Sequence, residues 1–452
     1  MNGANGEHLG WPGIVRLGLV QMAIGAVVVL STSTINRIMA VELALPAVLP
    51  GMLVALHYAV QMVRPRFGHG SDVGGRLTRW VIGGMGILAT GGVAAAGSVL
   101  LMSVTLTAGI VAAVLAFALI GLGVGAAGTS LLVLLSKRVA PERRPAAATV
   151  TWVMMIAGFV VTTAAASRLL QPYSHMRLLE LATTVSVAAW VISALAVWGI
   201  EMPETGRSRD SNGTRPGFRD ALREVWHEPL ARQFTTFVFI SMLAYSGQEL
   251  IFEPFAGAVL HLTPAQSAGL ASLQHGGALA GMILMAVLGP LASRARTGGS
   301  RDWMTAGCIG SAVALGGLVV AVFVGSAWPL RLNVLCLGFA NGLFTIAAIT
   351  CMMALCAVGG PERRGIRMGL WGAAQAVAFA FGGMISSGAV DVSRAVSHSP
   401  LLAYAWVFAG QAVLFLTAGA ISASLGRITS AVVAPERVPL EVAPAHFAGP
   451  GH

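Results

Sequence analysis

Apolar stretches of about 17 to 25 residues recur along this chain, and that repetition decides what it can fold into. At a rise of 1.5 Å per residue, a helix of that length crosses a hydrocarbon layer about 30 Å thick. About twelve spans can be drawn, near 14–36, 46–63, 80–102, 106–135, 148–170, 179–200, 233–256, 266–290, 304–325, 330–357, 368–390 and 401–425. Lipid offers no water to satisfy backbone N–H and C=O groups, so each span must be helical. Composition agrees. Charged residues are 10% of the chain, against about 25% in a soluble domain, too few to cover a soluble surface of this size. The expectation is an all-α integral membrane protein with twelve transmembrane helices.

A net charge of +10 would suggest nucleic acid in a soluble chain. Here the basic residues fill short loops between apolar spans, where they report topology, and no nucleic-acid partner is expected. Of the 28 Lys and Arg, 23 fall on one set of alternating loops and 5 (Arg37, Arg168, Arg177, Arg331 and Arg394) on the other. A wrong helix count would scramble that alternation. The positive-inside rule then puts both termini and the central loop in the cytoplasm. The four cysteines (Cys308, Cys336, Cys351 and Cys356) lie inside apolar spans and read as packing residues. The first apolar stretch is long enough to span, so it is expected to be retained rather than cleaved.

The spans divide into two sets of six. Pro141-Glu142-Arg143-Arg144 precedes the fifth span and Pro361-Glu362-Arg363-Arg364 the eleventh, an offset of 220 residues. Trp152 and Trp371 follow at offset 219. The loop Gly68-His-Gly-Ser-Asp72-Val-Gly-Gly75-Arg76 has a counterpart at Gly289-Pro-Leu-Ala-Ser293-Arg294, at offset 221. Three landmarks agreeing on one period mark an internal repeat of six helices. The expected organisation is an N-terminal half over 1–200, a cytoplasmic linker over 201–232, a C-terminal half over 233–426 and a disordered tail over 427–452. Within the linker, Phe218, Leu222, Val225, Trp226 and Leu230 are spaced for a short helix, either on the membrane face or solvated.

This layout resembles the major facilitator superfamily, whose two six-helix halves are related by an axis along the membrane normal. Gly68, Asp72, Gly75 and Arg76 match that family's loop between helices 2 and 3. The glycines permit a tight turn, and the acid can accept from helix N-termini and arginines, which suggests a clasp on the cytoplasmic side. Glu142, Arg143, Glu362 and Arg363 are placed to serve the same loops. Val73 stands where a basic residue is common and Ser293 replaces the second acid, so the clasp is expected to be weak or one-sided.

Polar groups within spans are costly, and so are functional candidates. His57, Gln61 and Arg64 share one face of the second span. Gln274 and His275 lie at similar depth in the eighth, within a turn of the repeat equivalent of His57. A neutral imidazole there can ligate a metal, including the Mg of a chlorin, or can simply hydrogen-bond between helices. In Gln248-Glu249-Leu-Ile-Phe-Glu253-Pro254, two carboxylates lie four residues apart. Such a pair suits a proton carrier or a donor to a ligand carbonyl. Alternatively, Glu253 is solvated at the outer interface. Asn36 and Arg37 end the first span, where they can cap the helix, pair with Glu42 or face a ligand. The sequence carries no phosphate-binding loop, zinc-ligand set or nucleophile elbow. The chain is therefore not read as an enzyme, and no nucleotide is expected.

Asn36-Arg37-Ile-Met39-Ala-Val41-Glu42-Leu43-Ala-Leu-Pro46 and Gln248-Glu249-Leu-Ile-Phe-Glu253-Pro254 are similar to strings of the bacteriochlorophyll-delivery branch of the superfamily, the PucC and LhaA group of phototrophic bacteria. The similarity extends over most of 14–425. It implies a multi-pass protein of the bacterial inner (cytoplasmic or intracytoplasmic) membrane that helps assemble light-harvesting complexes. The cargo would be bacteriochlorophyll or a related chlorin, and the partners antenna polypeptides and bacteriochlorophyll synthase. The loop Arg66–Asp72 differs from the form in PucC and LhaA proper, as a third subgroup would. In the superfamily's fold, helices 2 and 11 and helices 5 and 8 form the seams between halves, so His57 and His275 are expected there. Three classes stay open: a pigment carrier, a proton-coupled transporter of a small solute, and a pigment-free scaffold.

Overall fold

The structure is a computed structural model, described here over residues 8–61, 77–140, 143–200, 227–294, 299–358 and 364–433. Twelve helices follow one another among those residues. The first half holds α1 (Trp11–Val29, with π-helical continuations over Leu30–Ile35 and Ile38–Glu42), α2 (Val48–Val60), α3 (Leu77–Met102), α4 (Leu106–Arg138), α5 (Arg144–Leu169) and α6 (His175–Val197). The second holds α7 (Pro229–Ala258), α8 (Pro264–Arg294), α9 (Ser300–Val324), α10 (Leu330–Val358), α11 (Arg364–Ser397) and α12 (Pro400–Val433). Among the described residues, 10 helices are long and apolar enough to cross a membrane, and α2 is a shorter apolar helix. The remaining one, α7, is as long as its neighbours but carries Arg232, Gln233, Gln248, Glu249 and Glu253. The chain is an integral membrane protein.

Each half has its own apolar core. One joins residues from Ile14 to Ile200, with Leu250, Ala265 and Ala268 reaching in from the other half. The second joins Phe234 to Leu425, with Ile156 reaching across. The internal repeat is visible in which helices touch. In the first half α3 packs on α4 and α6, α1 on α5 and α6, and α2 on α4. The second half repeats each pair: α9 on α10 and α12, α7 on α11 and α12, and α8 on α10. Between halves the main seams are α5 against α8 and α2 against α11, which are themselves repeat equivalents.

Two expected boundaries move. The polar linker ends sooner, because Pro229 opens α7, where a proline's missing N–H is no loss. At the other end, α12 runs on to Val433, past the expected break at 427. Residues 427–433 contain no helix breaker. The linker residues 201–226 and the tail residues 434–452 lie outside the described residues.

The start of α1 lies on the same face as the ends of α4 and α6, called here the terminal face. Leu9 N donates to Arg138 O at the end of α4. Arg16 donates to Ala196 O (3.0 Å) and Trp198 O, taking up carbonyls that the end of α6 leaves free. The turns α1–α2, α5–α6, α7–α8 and α11–α12 lie on the opposite, distal face.

Candidate functional site

The site lies where α1 and α7 face each other across the axis between halves. Pro254 sits inside α7 and has no N–H, so Leu250 O, four residues back, loses its helical partner. Asn36 Nδ2 donates to that carbonyl at 2.6 Å. Ser33 Oγ donates to Glu253 Oε1, also at 2.6 Å. Both α1 residues sit in or beside its π-helical stretch, where an extra residue per turn rotates polar side chains toward α7. Arg37 donates to Glu42 Oε1 and to Leu262 O, each at 2.6 Å. Gly257 makes room for it, since a Cβ there would stand 2.8 Å from Arg37 Nη2.

Ser33 and Glu253 are 220 residues apart, and so by their numbers are Arg37 and Gly257. That is the repeat period. Helices α1 and α7 are equivalents flanking the axis, so residues next to it meet their own counterparts. Asn36, Arg37 and Glu253 are all buried. The reading of Glu253 as solvated at the outer interface is thereby corrected: α1 packs against the turn that carries it. Of the roles open to Asn36 and Arg37, the structure gives Arg37 the pairing with Glu42 and Asn36 a bond across the halves.

Deeper in, Tyr245 stands one helical turn before Glu249 on α7, which sets the two side chains on one face. Glu249 Oε1 faces His275 Nε2 of α8 at 3.7 Å. The two carboxylates thus serve different partners, Glu249 toward α8 and Glu253 toward α1. His275 meets Phe159 of α5 edge to face at 5.1 Å. Toward the other seam, Tyr245 lies 6.0 Å from Phe379 of α11, which lies 5.2 Å from Tyr58 of α2. Tyr58 abuts His57 at 4.8 Å, and His57 Nε2 lies 2.9 Å from Gln61 Nε2. The two histidines are not neighbours. They are linked through Tyr58, Phe379, Tyr245 and Glu249, a path that crosses the α2–α11 seam and ends at the α5–α8 seam, where His275 meets Phe159. Both are buried, at 1% and 3% exposure.

Gln248 is wholly buried, and both ends of its amide lack a hydrogen-bond partner among the described residues, as do Glu249 Oε2 and Glu253 Oε2. In folded proteins most buried polar atoms have a partner, so these atoms are open to a water or a ligand group. Gln274 is buried on α8, with its carbonyl against Gly338 of α10. Arg143 stands exposed at the start of α5. Arg64, Gly68, Asp72, Gly75, Arg76, Glu142, Glu362 and Arg363 lie outside the described residues. Sequence reasoning missed Tyr245, one helical turn before Glu249. It also missed Asp391, an isolated acid near the end of an apolar span. The carboxylate of Asp391 accepts from Ala47 N (3.1 Å) and Val48 N (2.8 Å) at the start of α2.

Two six-helix halves with these seams, and with α1 facing α7, define the major facilitator fold. Solved structures agree. The D-xylose-proton symporter matches with a TM-score of 0.70 at 14% identity, covering 91% of this chain and 97% of that one. A bacterial homolog of the human lysosomal transporter Spinster, in an inward-facing and occupied conformation, matches at 0.64 and 13%, covering 92% and 96%. At such identity the likeness is one of fold. The chain belongs to the PUCC protein family, whose model matches residues 34–429. It is 48% identical to a Rhodobacter capsulatus protein named Bacteriochlorophyll synthase 44.5 kDa chain, over 91% of this chain and 94% of that one. It is also 27% identical to Protein PucC of Rhodobacter capsulatus, over 91% and 92%.

Proposed function

We propose that this protein binds bacteriochlorophyll, or a late precursor of it, within the membrane and hands it on during assembly of light-harvesting complexes. The observation that carries the reading is the chain of polar and aromatic groups from His57 to His275, which runs from the α2–α11 seam to the α5–α8 seam of a PUCC-family bundle. Flat rings line that path, imidazoles stand at its ends, and the unpartnered Gln248 amide offers a donor and an acceptor. A chlorin with a long apolar tail is insoluble in the cytoplasm, so it would enter sideways from lipid between the halves. In the conformation described, His57 Nε2 is engaged by Gln61 and His275 Nε2 faces Glu249. Ligation of a chlorin Mg through Nε2 of either ring therefore requires that nitrogen to be released and its seam to part.

The pigment in this reading is cargo, and the protein is a carrier rather than a catalyst: pigment should leave with its mass and spectrum unchanged. Antenna polypeptides would receive it, and bacteriochlorophyll synthase would supply it. The 23-to-5 split of basic residues orients the terminal face, with both chain ends, toward the cytoplasm of a bacterial inner membrane. The test is an absorption spectrum of the protein purified gently from a pigmented membrane. Bound chlorin is expected, reduced in His275→Ala and His57→Ala. Colourless protein, or both variants keeping full pigment, sinks the proposal. The buried carboxylates Glu249 and Glu253 favour a second reading, proton-coupled transport of a small solute. It predicts proton-driven flux in liposomes and no bound pigment.

A further inference from the structure

On the distal face a cavity of about 540 Å³ opens between the halves, apart from His57 and His275. Arg37 and Glu42 reach it from the end of α1, Tyr173 from the α5–α6 turn, and Leu262 from the α7–α8 turn; Val41 and Leu170 add apolar wall. Two donors there have no partner among the described residues: the Nε–H of Arg37, a side chain only 1% exposed, and the buried hydroxyl of Tyr173. Burial raises the Tyr173 pKa, Glu42 adds to the rise and Arg37 opposes it, so the hydroxyl keeps its proton and remains a donor. His261, which also lines the cavity, holds a left-handed backbone (φ 54°), strain of the kind that collects at ligand sites.

These groups set the chemistry of an occupant. Glu42 at 2.6 Å already neutralises Arg37, so the cavity has no spare positive charge for an anion. What those two donors lack is an acceptor, and Val41, Leu170, Leu262 and Pro264 give the cavity wall that suits an apolar body beside the polar Glu42, Gln171 and Thr263. We propose that the cavity is a ligand site for an uncharged ester or keto carbonyl on an apolar molecule, held by Arg37 Nε–H and the Tyr173 hydroxyl. Because its walls come from both halves, an occupant would tie their distal ends together. Membrane lipid and pigment both carry such carbonyls.

Tyr173→Phe removes one donor and little else, and nanodiscs allow the two sources to be separated. In nanodiscs of ether-linked lipid, which has no ester, the probe is a Mg-free chlorin methyl ester, which cannot be ligated by histidine. Wild type should bind it about five times more tightly than Tyr173→Phe, with an ester infrared band shifted to lower frequency. His275→Ala should bind like wild type, so failure of the histidine reading would leave this test intact. In nanodiscs of ester-linked lipid without chlorin, the wild-type-minus-Tyr173→Phe infrared difference reports lipid ester alone. Signal in the first arm assigns the site to pigment, and in the second to lipid. Val41→Trp, which fills the cavity but keeps Tyr173, should abolish either signal. No difference between wild type and Tyr173→Phe in both arms overturns the proposal, as does a signal that survives Val41→Trp.

Discussion

The bond from Asn36 to Leu250 O shows one residue repairing the defect another creates. Proline leaves a carbonyl without its donor, and in a membrane no water can take the donor's place. Asn36→Ala should therefore cost about 1–3 kcal/mol, the penalty of an unsatisfied buried acceptor. Pro254→Ala restores the N–H of α7, so the same asparagine change should cost much less in that background. Unfolding free energies of the two single variants and the double variant form the cycle that measures this coupling. Equal cost of Asn36→Ala in both backgrounds would show that the two residues act independently. The partner of Asn36 was not legible from its own surroundings, where a cap or Glu42 was as good a candidate, because it depends on which helix lies opposite. The repeat held a usable signal all the same. Adding its period of 220 to Ser33 or Arg37 lands on the residue each one meets.

At the scale of helices, the fold was legible because hydropathy and loop charge are local properties that packing does not revise. Helix α7 tested that reading. Its spacing between loops marked it as a span, although its polar side chains make it less apolar than its neighbours. Glu253 and Glu249 are affordable because they face α1 and α8 rather than lipid. The linker helix expected from the spacing of Phe218 to Leu230 lies mostly outside the described residues. How closely two helices approach depends on small residues, which abound here, so abundance alone did not tell which of them matter. The crossing of α1 and α5 separates them. A Cβ at Gly158 would stand 2.3 Å from Met22 O, a backbone atom that cannot turn aside. Gly158→Ala should force the helices apart at a cost of about 1–3 kcal/mol. A Cβ at Gly97, on α3, would meet nothing within 4 Å. Gly97→Ala should be neutral or stabilising by up to about 1 kcal/mol, since alanine is the better helix former. Thermal midpoints in detergent compare the pair, and equal midpoints would refute the crossing argument.

At the scale of the molecule, the distal ends of the halves are joined by a set of bonds that exist only while those ends are together. Ser33 to Glu253, Asn36 to Leu250 O and Arg37 to Leu262 O join α1 to α7 and the turn after it. Asp391 joins α11 to α2, and it does so at a helix N-terminus, where free N–H groups and the helix dipole both favour a carboxylate. Any cargo that reaches the seams from the distal side must break this set. Asp391 is the member that can be removed without touching α7 or the histidines. When the halves separate distally, water caps α2 instead, so Asp391→Ala raises the energy of the distal-closed state alone. A lost cap is worth about 1 kcal/mol, or roughly fivefold in the ratio of open to closed. Asp391→Asn keeps one acceptor oxygen and should fall between. Spin labels at Thr105→Cys, on the α3–α4 turn, and Val396→Cys, near the end of α11, report the distal gap once the four native cysteines are replaced. The long-distance fraction should rise from wild type through Asp391→Asn to Asp391→Ala. Three superimposable distance distributions would mean that Asp391 caps a helix and does not hold the halves together.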